Sequence, residues 1–257
     1  MIGLVRAELL KARATRSVWG LAATGVAFAV AWAVVDVLVL MPLSGGSGPA
    51  DGKIRDAYSM AQQGYLLALI LGIVVMAGEY RHKTITWAFL ATPRRGAVIT
   101  AKLVACGVIG LALGVASALL TGIVVAVLLT AAGRPAGAPG IPFVLAGSVL
   151  STALWGVFGA ALGALIRNQV AAITVAFLWF FYAEWFLVML APAVGRWVPT
   201  GVAKSVSGWS RDGMVGFDGQ PVPGALLPVW AGGLVFLGYA LAAAFAARVV
   251  SVRRDVT

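Results

Sequence analysis

The sequence predicts an all-α, polytopic membrane protein, and three observations support this fold class. Hydrophobic residues make up 61% of the 257 residues, only 11% are charged, and the mean hydropathy is +0.97. Soluble domains carry about 25% charged residues, far more than this chain. The apolar residues also gather into six runs, each long enough to cross a hydrocarbon core of about 30 Å as a helix.

These runs predict a single transmembrane domain over 1–257. The basic segment 1–17 is expected to form an N-terminal amphipathic helix on the membrane surface. Between the second and third spans, 79–97 forms a polar elbow, and 191–227 forms an outer segment after the fifth span. The predicted spans are 18–40, 58–78, 101–129, 143–166, 170–190 and 228–247.

The distribution of charge predicts the side on which each loop lies. Thirteen basic residues fall on the side of the two termini and six on the other side. Because an excess of lysine and arginine marks cytoplasmic loops, both termini and the elbow are expected in the cytoplasm. The net charge of +10 is thereby explained by topology, so no nucleic-acid partner is expected.

The elbow is the densest polar stretch of the chain. A charge at the centre of a span costs about 2.5–3.5 kcal/mol, so this stretch is expected in water. If it is helical, Glu79 pairs with Lys83 one turn later, and Pro93 ends the helix. An ordinary basic loop is the alternative. The basic residues of the elbow are Arg81, Lys83, Arg94, Arg95 and Lys102.

Two acids, Asp36 and Glu184, lie within predicted spans and are therefore functional candidates. Both also lie near the outer ends of their spans, which favours snorkelling to water over a role in proton or substrate handling. No metal site is expected. Glu79 and His82 have ligand spacing, but the chain has one histidine and one cysteine.

Three small-residue pairs have the spacing of closely packed membrane helices. They fit either a dimer interface or packing within the bundle. Walker-type phosphate loops and hydrolase motifs are absent from the sequence, so this chain is not expected to bind ATP or to be an enzyme. The pairs are Gly110 and Gly114, Gly147 and Ser151, and Gly159 and Gly163.

Three stretches resemble the membrane subunit, or permease, of bacterial ABC-2 type ABC exporters. The start LVRAELLKARATRSVWG resembles the family's surface helix, with Glu8 and Lys11. The stretch GEYRHKTITWAFLATPRRGAVITAKLVA resembles its segment between spans two and three, and VPTGVAKSVSG its segment before the last span. Where the family often has glycine after Arg-His, this chain has Lys83.

The resemblance implies a transport subunit in the bacterial cytoplasmic membrane that exports a hydrophobic or amphipathic substrate, such as a drug, antibiotic, peptide or lipid. It implies a second permease copy or a sister permease, and a separate ATPase chain that holds ATP and magnesium. The elbow would be the coupling helix on that ATPase, and short outer helices would precede the last span. The implied coupling residues are Glu79, Tyr80, Arg81, His82, Lys83, Thr84, Pro93, Arg94 and Arg95.

Two other classes stay open. A channel or structural membrane component would work without an ATPase partner. A membrane-embedded enzyme would need polar residues gathered around one cavity, and the sequence offers only scattered ones.

Overall fold

The computed structural model describes residues 1–43, 50–92, 94–209 and 226–253, and all regular structure within these ranges is helical. The first half contains α1 Ile2–Ala14, α2 Arg16–Val35, α3 Met41–Leu43, α4 Ala50–Ser59, α5 Tyr65–Arg81, α6 Thr84–Ala91 and α7 Arg95–Ala131. The second half contains α8 Ile141–Ile166, α9 Gln169–Leu178, α10 Glu184–Leu190, α11 Pro192–Gly195, α12 Pro199–Val206 and α13 Val229–Arg253.

Five helical stretches among the described residues have the length and apolar composition of membrane spans. The chain therefore has the architecture of an all-helical, multi-pass membrane protein. The predicted span 170–190 is also helical, but a π-helical turn at Trp179–Ala183 divides it into α9 and α10. The five long stretches are Arg16–Leu43, Ala50–Arg81, Arg95–Ala131, Ile141–Ile166 and Val229–Ser251.

Two segments outside the predicted spans contain more helix than expected. The charged residues before the second span lie outside 58–78, but they form α4, which leads into α5 through a tight turn after Met60–Gln62. Similarly, α7 begins at Arg95, six residues before the predicted start of the third span at 101. Apolar runs locate the middle of a membrane helix, whereas polar turns at its ends carry no such signal.

The core is organised around α8, which packs against α5, α7 and α13. Trp155 lies at its centre and is fully buried. The ring of Trp155 contacts Tyr65 of α5, Phe180 of the π-helical turn and Phe236 of α13, with centroid separations of 5.1, 4.9 and 5.2 Å. These edge-to-face and tilted contacts join four segments of the chain at one residue.

The small-residue pairs pack within the bundle. A Cβ atom added to Gly159 would lie 2.0 Å from the carbonyl oxygen of Leu69 on α5, and one at Gly147 would lie 2.0 Å from that of Val206 on α12. Cβ atoms added to Gly110 and Gly114 would lie 3.0 and 2.9 Å from backbone atoms of α8. The structure thus favours intramolecular packing over a dimer interface at these positions, because the space beside each glycine is filled by the chain's own backbone.

Candidate functional site

The predicted elbow is a corner between two helices. The second span continues as helix α5 to Arg81, and the backbone N–H of His82 closes its last turn on the Gly78 carbonyl at 2.9 Å. Lys83 then takes a left-handed conformation, with φ of 56°, and α6 begins at Thr84. This corner turns the chain within the predicted elbow, so Glu79 and Lys83 are not on one continuous helix.

The predicted pairing of Glu79 with Lys83 is therefore wrong. An i,i+4 pair requires both residues on one helix, and here α5 ends between them. Lys83 occupies the position at which the family often has glycine, and its left-handed backbone is the conformation that glycine adopts without steric cost. Lys83 keeps this turn despite its Cβ atom, and its side chain is exposed.

Glu79 instead belongs to a cluster of four charges, which we call the charge network: Glu8, Lys11, Glu79 and Lys102. The Lys102 ammonium lies 2.6 Å from the Glu8 carboxylate and 2.5 Å from that of Glu79. Lys11 lies 2.8 Å from the same Glu79 oxygen and 2.5 Å from the other Glu8 oxygen. Two acids and two bases alternate, so the charge network is neutral and joins α1, α5 and α7.

Burial differs across the charge network. Lys102 was expected in water with the rest of the elbow, but its side chain is 0% exposed. The two carboxylates that flank it compensate its charge, which a buried ammonium requires. One oxygen of Glu79, Oε2, is buried without a hydrogen-bond partner among the described residues.

Lys11 closes the charge network on its exposed side. Half of its side chain is accessible. Partial burial opposes its charged form, but hydrogen bonds to Glu79 and Glu8 and their negative charges outweigh this cost and raise the pKa of Lys11. Lys11 therefore remains charged at neutral pH and holds α1 against the end of α5.

Tyr80 points into the bundle. Its hydroxyl lies 3.4 Å from Ser251 Oγ of α13, and the guanidinium of Arg167 lies over its ring, 5.3 Å from the centroid. Tyr80 thus connects the end of α5 to the ends of α8 and α13. Tyr80 is half-buried, and its role in coupling stays a prediction.

The remaining coupling residues divide by exposure. Arg94 is exposed and precedes α7, Arg95 is half-buried and begins it, and Pro93 lies outside the described residues. We define the corner surface as six exposed residues from the end of α5 to the end of α6: Arg81, His82, Lys83, Thr84, Trp87 and Leu90.

The corner surface combines positive charge with apolar area. Trp87 and Leu90 are 74% and 71% exposed, while Ile85 of the same helix is fully buried and fixes α6 to the bundle. Trp87 and Leu90 are three residues apart and therefore lie on one face of α6. Large exposed apolar side chains beside a cluster of cations are typical of contact with a membrane surface or a partner protein.

Glu184, the second intramembrane candidate, does not reach water. Its side chain is 0% exposed. Its carboxylate accepts hydrogen bonds from Trp179 Nε1 and from the backbone N–H of Thr200, each at 2.9 Å, and from the Thr200 hydroxyl. The prediction of snorkelling is wrong, because the chain folds back and places the first turn of α12 against this carboxylate.

We call this arrangement the Glu184 clasp. Pro199 opens α12 and has no N–H group, so the amide of Thr200 is the first in that helix that needs an acceptor. A carboxylate at this position also interacts favourably with the helix dipole. The clasp therefore connects α10 to α12, one of the short helices expected before the last span.

Asp36, the other acid within a span, is half-buried and begins the π-helical turn at Asp36–Leu40. Among the described residues, no group of three histidine, cysteine, aspartate or glutamate side chains could hold a metal ion.

The sequence singled out Glu8, Lys11, Glu79 and Glu184 one by one, but their partners were missed. Trp179 was interpreted as part of an interfacial aromatic belt and Thr200 was not singled out, because nothing in an indole or a hydroxyl marks it as a carboxylate partner. A usable signal did exist at Lys102. A single cation just inside an apolar run requires a compensating carboxylate. Of the acids in the predicted cytoplasmic segments, Glu79 and Glu8 are the nearest to Lys102 along the sequence.

The comparisons with known proteins do not identify a family. No protein-family model matches the chain, and no curated protein is similar to it.

Proposed function

We propose that this chain is the membrane subunit of an ABC-2 type ABC exporter and acts with a separate ATPase chain. The observation that carries the proposal is the corner surface, in the stretch where the resemblance to this family is most specific. The chain would supply the path through the membrane, and the partner would hydrolyse ATP with magnesium.

The composition of the corner surface supports contact with an acidic, partly apolar groove on the ATPase. Arg81 and Lys83 would steer association and set the register, since charge complementarity controls approach and specificity. Trp87 would supply an anchor, because exposed aromatic residues contribute most when a partner buries them. Glu79 and Tyr80 would support the corner from inside and make no direct contact with the partner.

The charge network supports a role in transmission. A displacement of the corner by the ATPase would move α5 directly. The ion pairs of the charge network, all at 2.8 Å or less, would transmit this displacement to α7 and α1. Because removing any one charge leaves a buried charge uncompensated, these three helices are expected to move as one body. The N-terminal helix would thus stabilise the coupling contact, as the resemblance implies.

The wider arrangement follows from the same proposal. The helices α9 and α10 with their π-helical turn would form the fifth of six spans, and both termini would lie in the bacterial cytoplasm, where the basic residues concentrate. Two copies, or this chain and a sister permease, would form the pathway. Its apolar helices are compatible with a hydrophobic or amphipathic substrate.

The experiment is co-expression with the ATPase encoded beside this gene, followed by co-purification and measurement of ATP hydrolysis. Reversing the charge of Arg81 and Lys83 together (Arg81→Glu, Lys83→Glu) is expected to reduce complex formation at least tenfold, because two like charges would then face the acidic groove. Glu79 is unsuitable for this test, since its reversal would also disrupt the charge network.

The matched control is the double variant Arg6→Glu, Arg13→Glu, which makes the same charge change on the exposed side of α1. It is expected to retain most of the complex. If the corner variant binds and stimulates the ATPase as the unmodified chain does, the coupling assignment is wrong. Absence of any ATPase gene beside this one would favour a channel or a structural component.

A further inference from the structure

A cavity lies at the end of the bundle opposite the charge network. The helix α7 begins near Lys102 and ends at Ala131, and its 37 residues span about 55 Å. The cavity lies beyond this far end, between the start of α4 and the turn that follows α7. Its volume of about 330 Å³ is within the range of small ligand sites.

Two cations from different parts of the chain line this cavity. Lys53 comes from α4 and Arg134 from the turn after α7, and the rest of the lining is apolar: Met41, Pro42, Ala50, Ile54 and Pro135. No carboxylate of the described residues lies within 4 Å of either cation. The six residues joining Leu43 to Ala50 are uncharged and cannot supply one.

The neighbouring acids point elsewhere. In α4, Ala50, Lys53 and Ile54 occupy one face of the helix, as residues three and four apart do. Asp51 and Asp56 each lie about 110° around the helix from the centre of that face, given about 100° per residue. Within the part of the chain that the structure describes, these two cations share no acid and repel each other, so an anion between them would stabilise both.

The walls of the cavity are held in place by hydrogen bonds. The N–H of Arg134 donates to the Leu129 carbonyl at 2.9 Å, which fixes the turn on the end of α7. The hydroxyl of Tyr58 on α4 donates to the Ala136 carbonyl at 2.8 Å and connects the two walls. The cavity is thus a fixed feature of this end of the bundle.

We propose that this cavity binds the phosphate headgroup of an anionic phospholipid. Lys53 and Arg134 would contact the phosphate oxygens, and Met41, Pro42 and Ile54 would surround the first carbons of the lipid. Lysine and arginine form strong, charge-assisted hydrogen bonds with phosphate oxygens, and the apolar lining suits the adjoining lipid carbons. The site lies far from the corner surface, so this inference does not depend on the proposed transport function.

The test is titration of the detergent-solubilised full chain with phosphatidylglycerol, with binding measured by native mass spectrometry. Each basic residue near a membrane surface contributes roughly a fivefold change in affinity, so Lys53→Gln, Arg134→Gln is expected to bind about 25-fold more weakly. The variant Lys53→Arg, Arg134→Lys keeps both charges and is expected to bind within a few-fold of the unmodified chain.

The control Arg6→Gln, Arg13→Gln removes two exposed charges on α1 and is expected to leave the affinity unchanged. An equal loss in this control would show general electrostatic attraction and overturn the site. So would a cavity variant that binds phosphatidylglycerol like the unmodified chain while eluting as the same folded species. Binding of inorganic phosphate as tight as that of the lipid would overturn the lipid assignment in favour of a free anion.

Discussion

Lys102 is the residue on which the charge network depends most. It is the only member with a fully buried side chain, and it contacts both carboxylates. Because Glu8 and Glu79 would be left with only the half-exposed Lys11, Lys102→Met is expected to lower the free energy of unfolding by about 3–5 kcal/mol. Thermal or denaturant unfolding in detergent measures this loss.

The triple variant Glu8→Gln, Glu79→Gln, Lys102→Met separates lost charge from lost packing. It removes the uncompensated carboxylates together with the lysine, so it is expected to be more stable than the single variant Lys102→Met. If the triple variant is destabilised as much as the single variant or more, the uncompensated carboxylates are not the cause of the loss in Lys102→Met.

Lys83 offers a gain in stability. A left-handed conformation costs a residue with a Cβ atom about 1–2 kcal/mol, and glycine avoids this cost. Lys83 has φ of 56° at the corner. Glycine also increases the conformational entropy of the unfolded chain, which offsets part of the gain, so Lys83→Gly is expected to raise the free energy of unfolding by up to about 1 kcal/mol.

The comparison for this prediction is Lys83→Ala, which removes the same charge and keeps the strained backbone. A higher melting temperature for the glycine variant than for the alanine variant would support backbone strain. Equal melting temperatures for the two variants would assign any change to the loss of the charge.

At the scale of elements, the Glu184 clasp controls how α12 is held against α10. Further contacts hold this region to α13 and to the residues just before it. The Tyr239 hydroxyl of α13 donates to the Trp197 carbonyl at 2.7 Å, and the N–H of Leu227, which precedes α13, donates to Ser205 Oγ at 3.2 Å. Glu184→Ala removes the acceptor of three hydrogen bonds. It is expected to loosen α12 locally while the Trp155 core stays intact.

Amide hydrogen exchange monitored by mass spectrometry tests this expectation. Exchange over 199–206 should accelerate at least tenfold in Glu184→Ala, since each lost buried hydrogen bond costs about 1–3 kcal/mol. Exchange in α8 should be unchanged. Thr200→Val, which removes one donor and keeps the carboxylate, should show a smaller acceleration; an unchanged rate over 199–206 in both variants would contradict the clasp.

The elements also show what a sequence can predict. The middles of the long helices followed directly from the apolar runs, because a run of about 20 apolar residues has few other stable arrangements. The corner at Lys83 and the helix α4 were missed, because their residues are polar and their structure depends on contacts distant in sequence. Lys102 joins Glu8 across 94 positions, a contact that no local pattern encodes.

At the scale of the whole molecule, sidedness is the property most open to test. The native Cys106 is buried, so a Cys106→Ser background permits single-cysteine labelling. If both termini are cytoplasmic, Arg6→Cys should react with a membrane-impermeant maleimide only in inverted vesicles. Arg134→Cys, at the other end of α7, should react only from outside. Labelling of both positions from the same side would contradict the predicted topology.

The charge network has a consequence for how the chain is made. Glu8, Lys11 and Glu79 leave the ribosome before Lys102, which is the last of the four charges to be synthesised. Two acids and one base are thus present while α7, the third span, is still being inserted. The excess negative charge is neutralised only when Lys102 on α7 reaches its place. Insertion of α7 is therefore the step that completes the charge network, and a nascent chain halted before residue 102 would hold its N-terminal helix to α5 only through the half-exposed pair of Lys11 with Glu79.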